Sequence, residues 1–423
     1  MAIKHYSWKN GPDEIQQHSI AKHKILQSYL SAYFQTLVGS GQPRDEFKLT
    51  LVDGFAGGGL YYHADTRELV KGSPFILLNA EREAEFEINR TRTKPVRLDI
   101  SHFFIEANRH AHLHLRKVLE EEGHGSRIGK SIFLRHGRFQ EEASAVIAYI
   151  KKKSPRNGRS IFILDQFGYT AVPKSLINTI LSSLPSAEII LTFGVDSLLN
   201  YADERNFQNG LRQIEIPNCL GNRTFSEIKQ SDREWRLFIQ SALYKELVTD
   251  CGAEHYTPFF IRNRQGHGDY WLLHLSQHHK ARDVMTAVHW KNQNDFIHYA
   301  GAGLDMFNMI GYDPAYDDEH RGQTRLGFEF DDVARSRSVA ALKEQIPEII
   351  YGTSDGMAYE RLYAATCNLS PAYSDIYQQA LFELSVDRIL RILGKGGSLR
   401  RSAARISPSD QILPPIQRPL FFY

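Results

Sequence analysis

The feature that most constrains how this chain folds is an apolar run that ends at a carboxylate and opens into a glycine-rich turn. Residues 47–52 are apolar or β-favouring, as is typical of a buried strand, and Asp53 ends the run. Four glycines follow within six residues: Gly54, Gly57, Gly58 and Gly59. Glycine lets the main chain turn sharply and lets another group approach bare backbone. The pattern predicts a strand of a doubly wound α/β sheet, with a loop that either holds a ligand or only turns the chain.

The spacing of these glycines argues against a dinucleotide. Residues 54–59 read Gly-Phe-Ala-Gly-Gly-Gly and lack the second glycine of the G-x-G-x-x-G pattern. The order is similar to motif I of S-adenosylmethionine (SAM) methyltransferases, in which the turn wraps the methionine end of the cofactor. We therefore expect SAM contacts from Asp53, Gly54, Phe55, Ala56, Gly57 and Gly59.

A second predicted strand, within residues 95–106, ends at Glu106. A carboxylate at this point binds ribose hydroxyls in doubly wound folds, and it can also simply start the helix that follows. Its position after a glycine loop favours the ribose interpretation. Between the two strands, Ser73 is expected to cap a helix and Pro74 to occupy its first turn, where free N–H groups suit an anionic ligand group.

Two further contacts are expected on less specific grounds. The turn 136–139, after a third strand at residues 131–134, is where an adenine ring would lie, next to Phe139. Residues 19–38 predict an amphipathic helix with Lys22, His23 and Lys24 in its first turns. A solvated basic face is the simpler interpretation of this trio. Alternatively one of them reaches the cofactor carboxylate, and Lys24 is our candidate.

The fourth predicted strand, residues 160–164, also ends at a carboxylate, Asp165. Ligands bind beyond the carboxyl ends of parallel strands, so Asp53 and Asp165 should face one crevice. The sequence Asp165-Gln-Phe167-Gly168 stands where amino-group methyltransferases hold the target amine with a side-chain oxygen and a stacking ring. A fifth strand at 187–193 completes an alternation of strands and helices that predicts a parallel sheet covered on both faces.

The remaining chain suggests further domains. We expect a methyltransferase-like core at 1–195, a helical insertion at 196–250, a hairpin completing the sheet at 251–292 and a linker at 293–335. Residues 336–423 contain three short helical patterns and a glycine tip, which indicate either a winged helix-turn-helix with a basic tail or a helical packing domain. For the former, the expected nucleic-acid contacts are Lys395, Arg400, Arg401 and Arg405.

Composition narrows the function classes. The chain has 423 residues and a net charge of +2, so attraction to nucleic acid must be local. Neither a signal segment nor a membrane span is apparent in the sequence. The three cysteines are widely separated and fit a reducing cytosol, and the histidines near His278 lack the partners of a metal site. We expect a cytoplasmic protein without a metal or a membrane partner.

Taken in order, these motifs resemble those of the three-Cys-motif partner protein (TcmP) family. The resemblance covers residues 5–290 through Trp8, the Lys22–Lys24 helix, the glycine loop, Glu106, the Asp165 loop and the segment from Tyr270 to Trp290. It implies a Rossmann-type, SAM-dependent methyltransferase core in a bacterial protein with a radical-SAM-like partner protein. By position it gives cofactor roles to Asp53, Gly57 and Glu106. The substrate-side roles fall to Asp165, Phe167 and Gly168, with Gln166 in place of the family's proline.

Two hypotheses follow. The first is a SAM-dependent methyltransferase that acts on nucleic acid, with amino-group methylation as the expected reaction. The second is a non-catalytic module that binds nucleic acid or a protein partner through a methyltransferase-like core. Intact Asp53, Glu106 and Asp165 favour the enzyme, whereas Gln166 and the absence of an acidic residue in the turn ending at Phe139 favour the module.

Overall fold

The computed structural model describes most of the chain. The described residues are 8–9, 11–15, 17–39, 45–63, 65–90, 92–166, 168–200, 204–231, 235–261, 270–292, 296–297, 302–304, 330–353 and 355–416. They form two compact units: residues 1–231 with 245–281, and residues 232–244 with 282–423.

The first unit is built on a mixed sheet covered by helices. Its strands are β1 (Glu14–Ile15), β2 (Glu46–Asp53), β3 (Leu60–His63), β4 (Leu69–Lys71), β5 (Arg97–Glu106), β6 (Ile132–His136), β7 (Ser160–Leu164), β8 (Ala187–Phe193), β9 (His255–Ile261) and β10 (Tyr270–Ser276). Its helices are α1 (Gln17–Leu37), α2 (Ser73–Asn89), α3 (Arg109–Glu121), α4 (Phe139–Lys153), α5 (Lys174–Ser183), α6 (Val195–Asn200), α7 (Glu204–Gln213) and α8 (Phe225–Ser231). Two more helices, α9 (Trp235–Val248) and α10 (His279–Lys291), have residues in both units.

Seven strands of the first unit lie side by side in the order β6-β5-β2-β7-β8-β10-β9. The five from β6 to β8 are parallel, whereas β10 runs antiparallel to both β8 and β9. The central strands are buried on both faces, which explains why β7 and β8 are apolar nearly throughout. The parallel sheet and its closing hairpin are therefore confirmed.

Three local predictions about helix starts are corrected. Helix α1 begins at Gln17, two residues before the predicted start at residue 19. Gly72 is the N-cap of α2, whose first residue is Ser73; no side chain caps this end. Phe139 is the first residue of α4 instead of part of the turn before it.

The second unit contains three further helices, α11 (Asp332–Tyr351), α12 (Tyr359–Thr366) and α13 (Ser374–Val386), and the strands β11 (Phe296–Ile297), β12 (Met357–Ala358), β13 (Arg391–Leu393) and β14 (Gln411–Leu413). The last three strands form an antiparallel sheet in the order β12-β14-β13. Helices α11 and α13 pack through buried apolar side chains such as Leu342, Ile346 and Leu381. Three helices and a small sheet, with β12 after the first helix and β13 and β14 after the third, match the winged-helix prediction.

Candidate functional site

Three carboxylates lie at the carboxyl ends of three adjacent strands. Strand β2 lies between β5 and β7, and Asp53 is in register with Phe104 on one side and Ile163 on the other. Glu106 and Asp165 each stand two residues beyond those register positions. Since parallel strands share one carboxyl edge, all three acids lie at the same edge of the sheet.

Asp53 is the most perturbed of the three. It is fully buried; its Oδ1 accepts a hydrogen bond from the Phe55 N–H at 3.2 Å, and its Oδ2 makes no hydrogen bond with any described residue. Burial raises the pKa of Asp53 to about 7, against the opposing effects of the Ser73 hydroxyl and the Phe55 amide and with smaller contributions from Asp165 and Glu106. A buried carboxylate oxygen without a donor suits a cationic ligand group.

Glu106 binds the glycine loop directly. Its Oε2 accepts the Gly57 N–H at 2.8 Å, and its Oε1 accepts the Asn108 N–H at 2.6 Å. Burial raises the pKa of Glu106, and these amides oppose that effect. The cap of α3 is the Asn108 side chain, which accepts from the His110 and Ala111 amides. A carboxylate has about four lone-pair sites, so Glu106 can fix the loop and still accept hydroxyl groups.

One side of the glycine loop is covered by aromatic side chains. A Cβ added at Gly58 would lie within 2.3 Å of the Trp8 ring, and Trp8 is only 5% exposed. Gly57 has a φ of +62°, and a Cβ there would meet the Tyr61 hydroxyl. The two glycines are thus required in part by packing against Trp8 and Tyr61, which is a further reason for glycine beside the ligand and the sharp turn expected from the sequence.

Phe139 lies under the loop. A Cβ on Gly54 would touch both the Phe139 ring and Leu164, and Phe139 is buried. The structure therefore gives Phe139 a packing role, and its expected contact with adenine stays a prediction. Ala56 is also buried, and its N–H donates to Ile105 O at 3.0 Å, which fixes the loop to β5.

Asp165 is held by a lysine of helix α1. The Lys22 Nζ donates to both carboxylate oxygens, at 2.5 and 2.6 Å, and lies 5.7 Å from the centre of the Tyr270 ring. Lys24, the residue chosen from the sequence, is exposed instead. Burial lowers the pKa of the neighbouring His23 to about 4, while the carboxylate of Asp165 opposes this shift.

The helical period indicates which of these lysines lies on the buried face of α1. Lys22 precedes Leu26 by four residues and Tyr29 by seven, so it shares their face of the helix, and both are buried. Lys24 is two positions removed and points away from that face. A solvated basic face therefore describes Lys24 and not Lys22, whose side chain is 10% exposed.

The loop after Asp165 is fixed by Gln166. Its Oε1 accepts the N–H groups of Ala171 and Val172 at 2.9 and 3.0 Å, and its side chain is buried. Gly168 has a φ of +80° and accepts the Gly194 N–H at 2.8 Å. Phe167 lies outside the described residues. Gln166 thus stiffens this loop by hydrogen bonding, whereas proline would do so through its ring.

A buried polar network lies on the same helix, two turns beyond Lys22. The Tyr29 hydroxyl donates to Glu188, and His274 Nε2 lies 3.0 Å from Glu188 Oε2 and 3.2 Å from the Tyr29 hydroxyl. Burial raises the pKa of Tyr29. The network joins α1 to β8 and β10, and no sequence pattern predicts it. Within the described ranges, no group of three or more His, Cys, Asp or Glu side chains could hold a metal ion.

The predicted nucleic-acid contacts divide into two kinds. Lys395, Arg401 and Arg405 are exposed. Arg400 instead donates from Nε and a terminal nitrogen to Asp410, at 2.5 and 2.6 Å, and Asp410 is fully buried. Arg400 therefore holds a structural ion pair as well as lying among basic residues.

The second unit has a recognisable domain. Residues 311–397 match the family model of the GMT-like winged helix-turn-helix domain. Together with the strand order of the first unit, this defines an α/β protein with a methyltransferase-like fold and a C-terminal winged helix-turn-helix domain. Across the described ranges, no helix is long and apolar enough to cross a membrane.

Several solved structures are similar at low identity. Protein LPL1258 from Legionella pneumophila matches at 9% identity over 60% of this chain and 84% of its own, with a TM-score of 0.32. The DszA carbon methyltransferase matches at 9% identity over 62% and 55%, with a TM-score of 0.31. Trm1 from Pyrococcus horikoshii, solved with SAM, matches at 10% identity over 93% and 91%, with a TM-score of 0.31. No curated protein matches the chain.

Proposed function

We propose that the first unit binds SAM at the carboxyl edge of its sheet and transfers the methyl group to a nucleic-acid amine. The observation that carries the proposal is Asp53 Oδ2, a buried carboxylate oxygen without a donor, placed between two further acids on neighbouring strands. The methionine ammonium of SAM is a cation that could donate a hydrogen bond to that oxygen. The residues present therefore fit the cofactor.

Each acid has a distinct role in this proposal. Asp53 binds the ammonium group, and Glu106 accepts the ribose hydroxyls while it holds the Gly57 amide. SAM supplies a methyl group that is already activated as a sulfonium. The protein then mainly has to orient the acceptor, which needs a hydrogen-bond acceptor on the far side of the methyl group.

In the proposal Asp165 is that hydrogen-bond acceptor, and Lys22 sets its orientation and neutralises its charge. Both oxygens of Asp165 receive hydrogen bonds from Lys22, yet the carboxylate remains 31% exposed. An entering amine can approach Asp165 because Lys22 neutralises the carboxylate without enclosing it. Phe167 is proposed as the stacking ring next to this acceptor.

The nucleic-acid acceptor is supported by the winged helix-turn-helix match. Membership of the TcmP family and a radical-SAM-like partner remain proposals that rest on the resemblance of the sequence motifs.

Calorimetry with SAM tests cofactor binding. We expect Asp53→Ala and Glu106→Ala each to weaken binding, while Asp45→Ala, an exposed acid just before β2, serves as the control. Unchanged affinity in both site variants would remove the cofactor assignment. Transfer of a tritiated methyl group to a mixture of DNA, RNA and protein then identifies the acceptor class.

A non-catalytic module is the second candidate. Its support is the covering of the glycine loop by Trp8 and Tyr61 together with the capture of both Asp165 oxygens by Lys22. In that case SAM binds weakly or not at all, and no acceptor is labelled at any pH.

A further inference from the structure

Five arginines line one groove of the second unit. The groove has a volume of about 1380 Å3 and lies between the end of α13, strand β13 and the segment 398–405. Its basic lining residues are Arg388, Arg391, Arg400, Arg401 and Arg405, and no described carboxylate lines it. We call it the arginine groove.

Most of this charge is uncompensated. The side chains of Arg388, Arg401 and Arg405 are exposed and make no hydrogen bond or ion pair with any described residue. Of the five arginines, Arg400 alone has a carboxylate partner among the described residues, the buried Asp410. Arg391 donates to the Pro414 carbonyl, which carries no net charge.

The acids nearest in sequence are engaged elsewhere. Glu383 and Asp387, on the last turn of α13 and just after it, both pair with Lys343, at 3.2 and 3.1 Å. They therefore do not neutralise the arginine groove. A surface with several like charges in one concavity attracts a polyanion.

Arg388 has a backbone conformation that is unfavourable for a residue with a side chain. It follows the C-cap of α13 with a φ of +60°, in the left-handed region where helices usually end on glycine. Glycine adopts this conformation without steric conflict, whereas in arginine the Cβ atom makes it unfavourable. A non-glycine residue kept in this conformation at the wall of a charged groove supports a binding role for the side chain.

Helix α13 is poorly placed to read bases. Gln379 accepts from Arg335 and donates to Glu383, Gln378 donates to the Ile406 carbonyl, and Ser374 donates to Asp283. These polar side chains are used within the second unit. The groove itself offers guanidinium groups, which match phosphate oxygens, and exposed aliphatic side chains such as Leu399. Its described lining contains a single aromatic ring, that of the half-buried Phe382, so it does not form a platform on which successive bases would stack.

We propose that the arginine groove binds the phosphate backbone of a nucleic acid and reads no sequence. The binding contacts then come from the end of α13 and the segment after β13, rather than from the face of the third helix. This inference deepens the nucleic-acid part of the proposed function but is independent of SAM binding.

Fluorescence anisotropy with the full chain tests it. The probes are a labelled DNA duplex of about 30 base pairs, a second duplex of unrelated sequence, a single strand and an RNA duplex, each titrated between 50 and 200 mM salt. For duplex DNA the slope of log affinity against log salt is negative, and each lost phosphate contact should make it shallower by about 0.9. We expect Arg401→Gln with Arg405→Gln to make the slope shallower by about 1.8 and to reduce affinity at 50 mM salt.

The matched control is Arg337→Gln with Arg361→Gln, two exposed arginines of the same unit outside the groove. Arg388→Gly separates charge from folding, because glycine relieves the left-handed backbone and should keep or raise stability while it weakens binding. Equal affinity for both duplex sequences supports a backbone contact. The proposal is overturned if no nucleic acid binds, if the groove and control variants behave alike, or if the salt response of the wild type is flat.

The result does not depend on the first proposal. SAM calorimetry on the groove variants should match the wild type, since Asp53 and Glu106 are intact. If the groove variants lose nucleic-acid binding but bind SAM normally, the groove is the nucleic-acid site. If the wild type binds nucleic acid but not SAM, the groove proposal still holds and the SAM proposal fails.

Discussion

The substitution Asp53→Asn tests the electrostatics of the candidate site most directly. Burial raises the pKa of Asp53 to about 7 in the folded protein from the model-compound value of 3.8. A carboxyl with a raised folded pKa holds its proton more tightly in the folded state, so stability falls as the pH rises from 3.8 to 7. Each pH unit in this window costs about 1.4 kcal/mol, and the loss levels off above pH 7.

Asparagine keeps the shape of the side chain but does not ionise. We therefore expect Asp53→Asn to exceed the wild type in unfolding free energy by about 2 kcal/mol at pH 5 and about 4 kcal/mol at pH 8. Urea unfolding followed by circular dichroism at both pH values measures the difference. Asp45→Asn, exposed just before β2, should leave the pH dependence unaltered. A gain that is equal at pH 5 and pH 8 would refute the reasoning.

The same pKa couples SAM binding to a proton. At pH 6 most Asp53 side chains are protonated, and an ammonium group beside the carboxylate favours the charged form. Binding to the wild type at pH 6 should therefore release about one proton, seen as a dependence of the calorimetric heat on the ionisation enthalpy of the buffer. Asp53→Asn should bind more weakly and release none; proton release that persists in this variant would assign the effect to another group.

Three further substitutions probe the surroundings of the site. Lys22→Met should lower the unfolding free energy by about 1–3 kcal/mol, because the partly exposed Asp165 carboxylate loses both of its hydrogen bonds from Lys22, and Lys24→Met, at an exposed position, should cost less; equal losses in urea unfolding would contradict the assignment. Gly58→Ala should cost about 1–3 kcal/mol through collision with the Trp8 ring, and combining it with Trp8→Ala should be less than additive; strict additivity would mean that the two do not touch. Gln166→Ala should deprive two loop amides of their acceptor and cost about 1–3 kcal/mol, with faster hydrogen exchange at residues 171–172; unchanged exchange would rule out the anchoring role.

The sheet could be predicted because its signals are local. Asp53, Glu106 and Asp165 each follow an apolar run, and consecutive parallel strands must end at one edge, so their shared location follows from chain order. The hairpin of β9 and β10 was readable from two β-favouring runs around a glycine-rich loop.

The contacts of the site were harder to predict because they join residues that are far apart in the sequence. Trp8 reaches Gly58 from 50 positions away, and no pattern near either residue indicates the pairing. The helical period places Lys22, and not Lys24, on the buried face of its helix, but the period alone does not show that Asp165 is its partner. Arg388 was missed since a left-handed backbone at a non-glycine residue leaves no trace in composition.

Gln166 has a consequence for how such chains are recognised. A search pattern that insists on proline after the aspartate discards any relative that rigidifies the same bend through a buried amide side chain. A pattern that accepts any residue able to bind the two main-chain N–H groups downstream would find more divergent sequences. These sequences keep the loop geometry although they lack the proline.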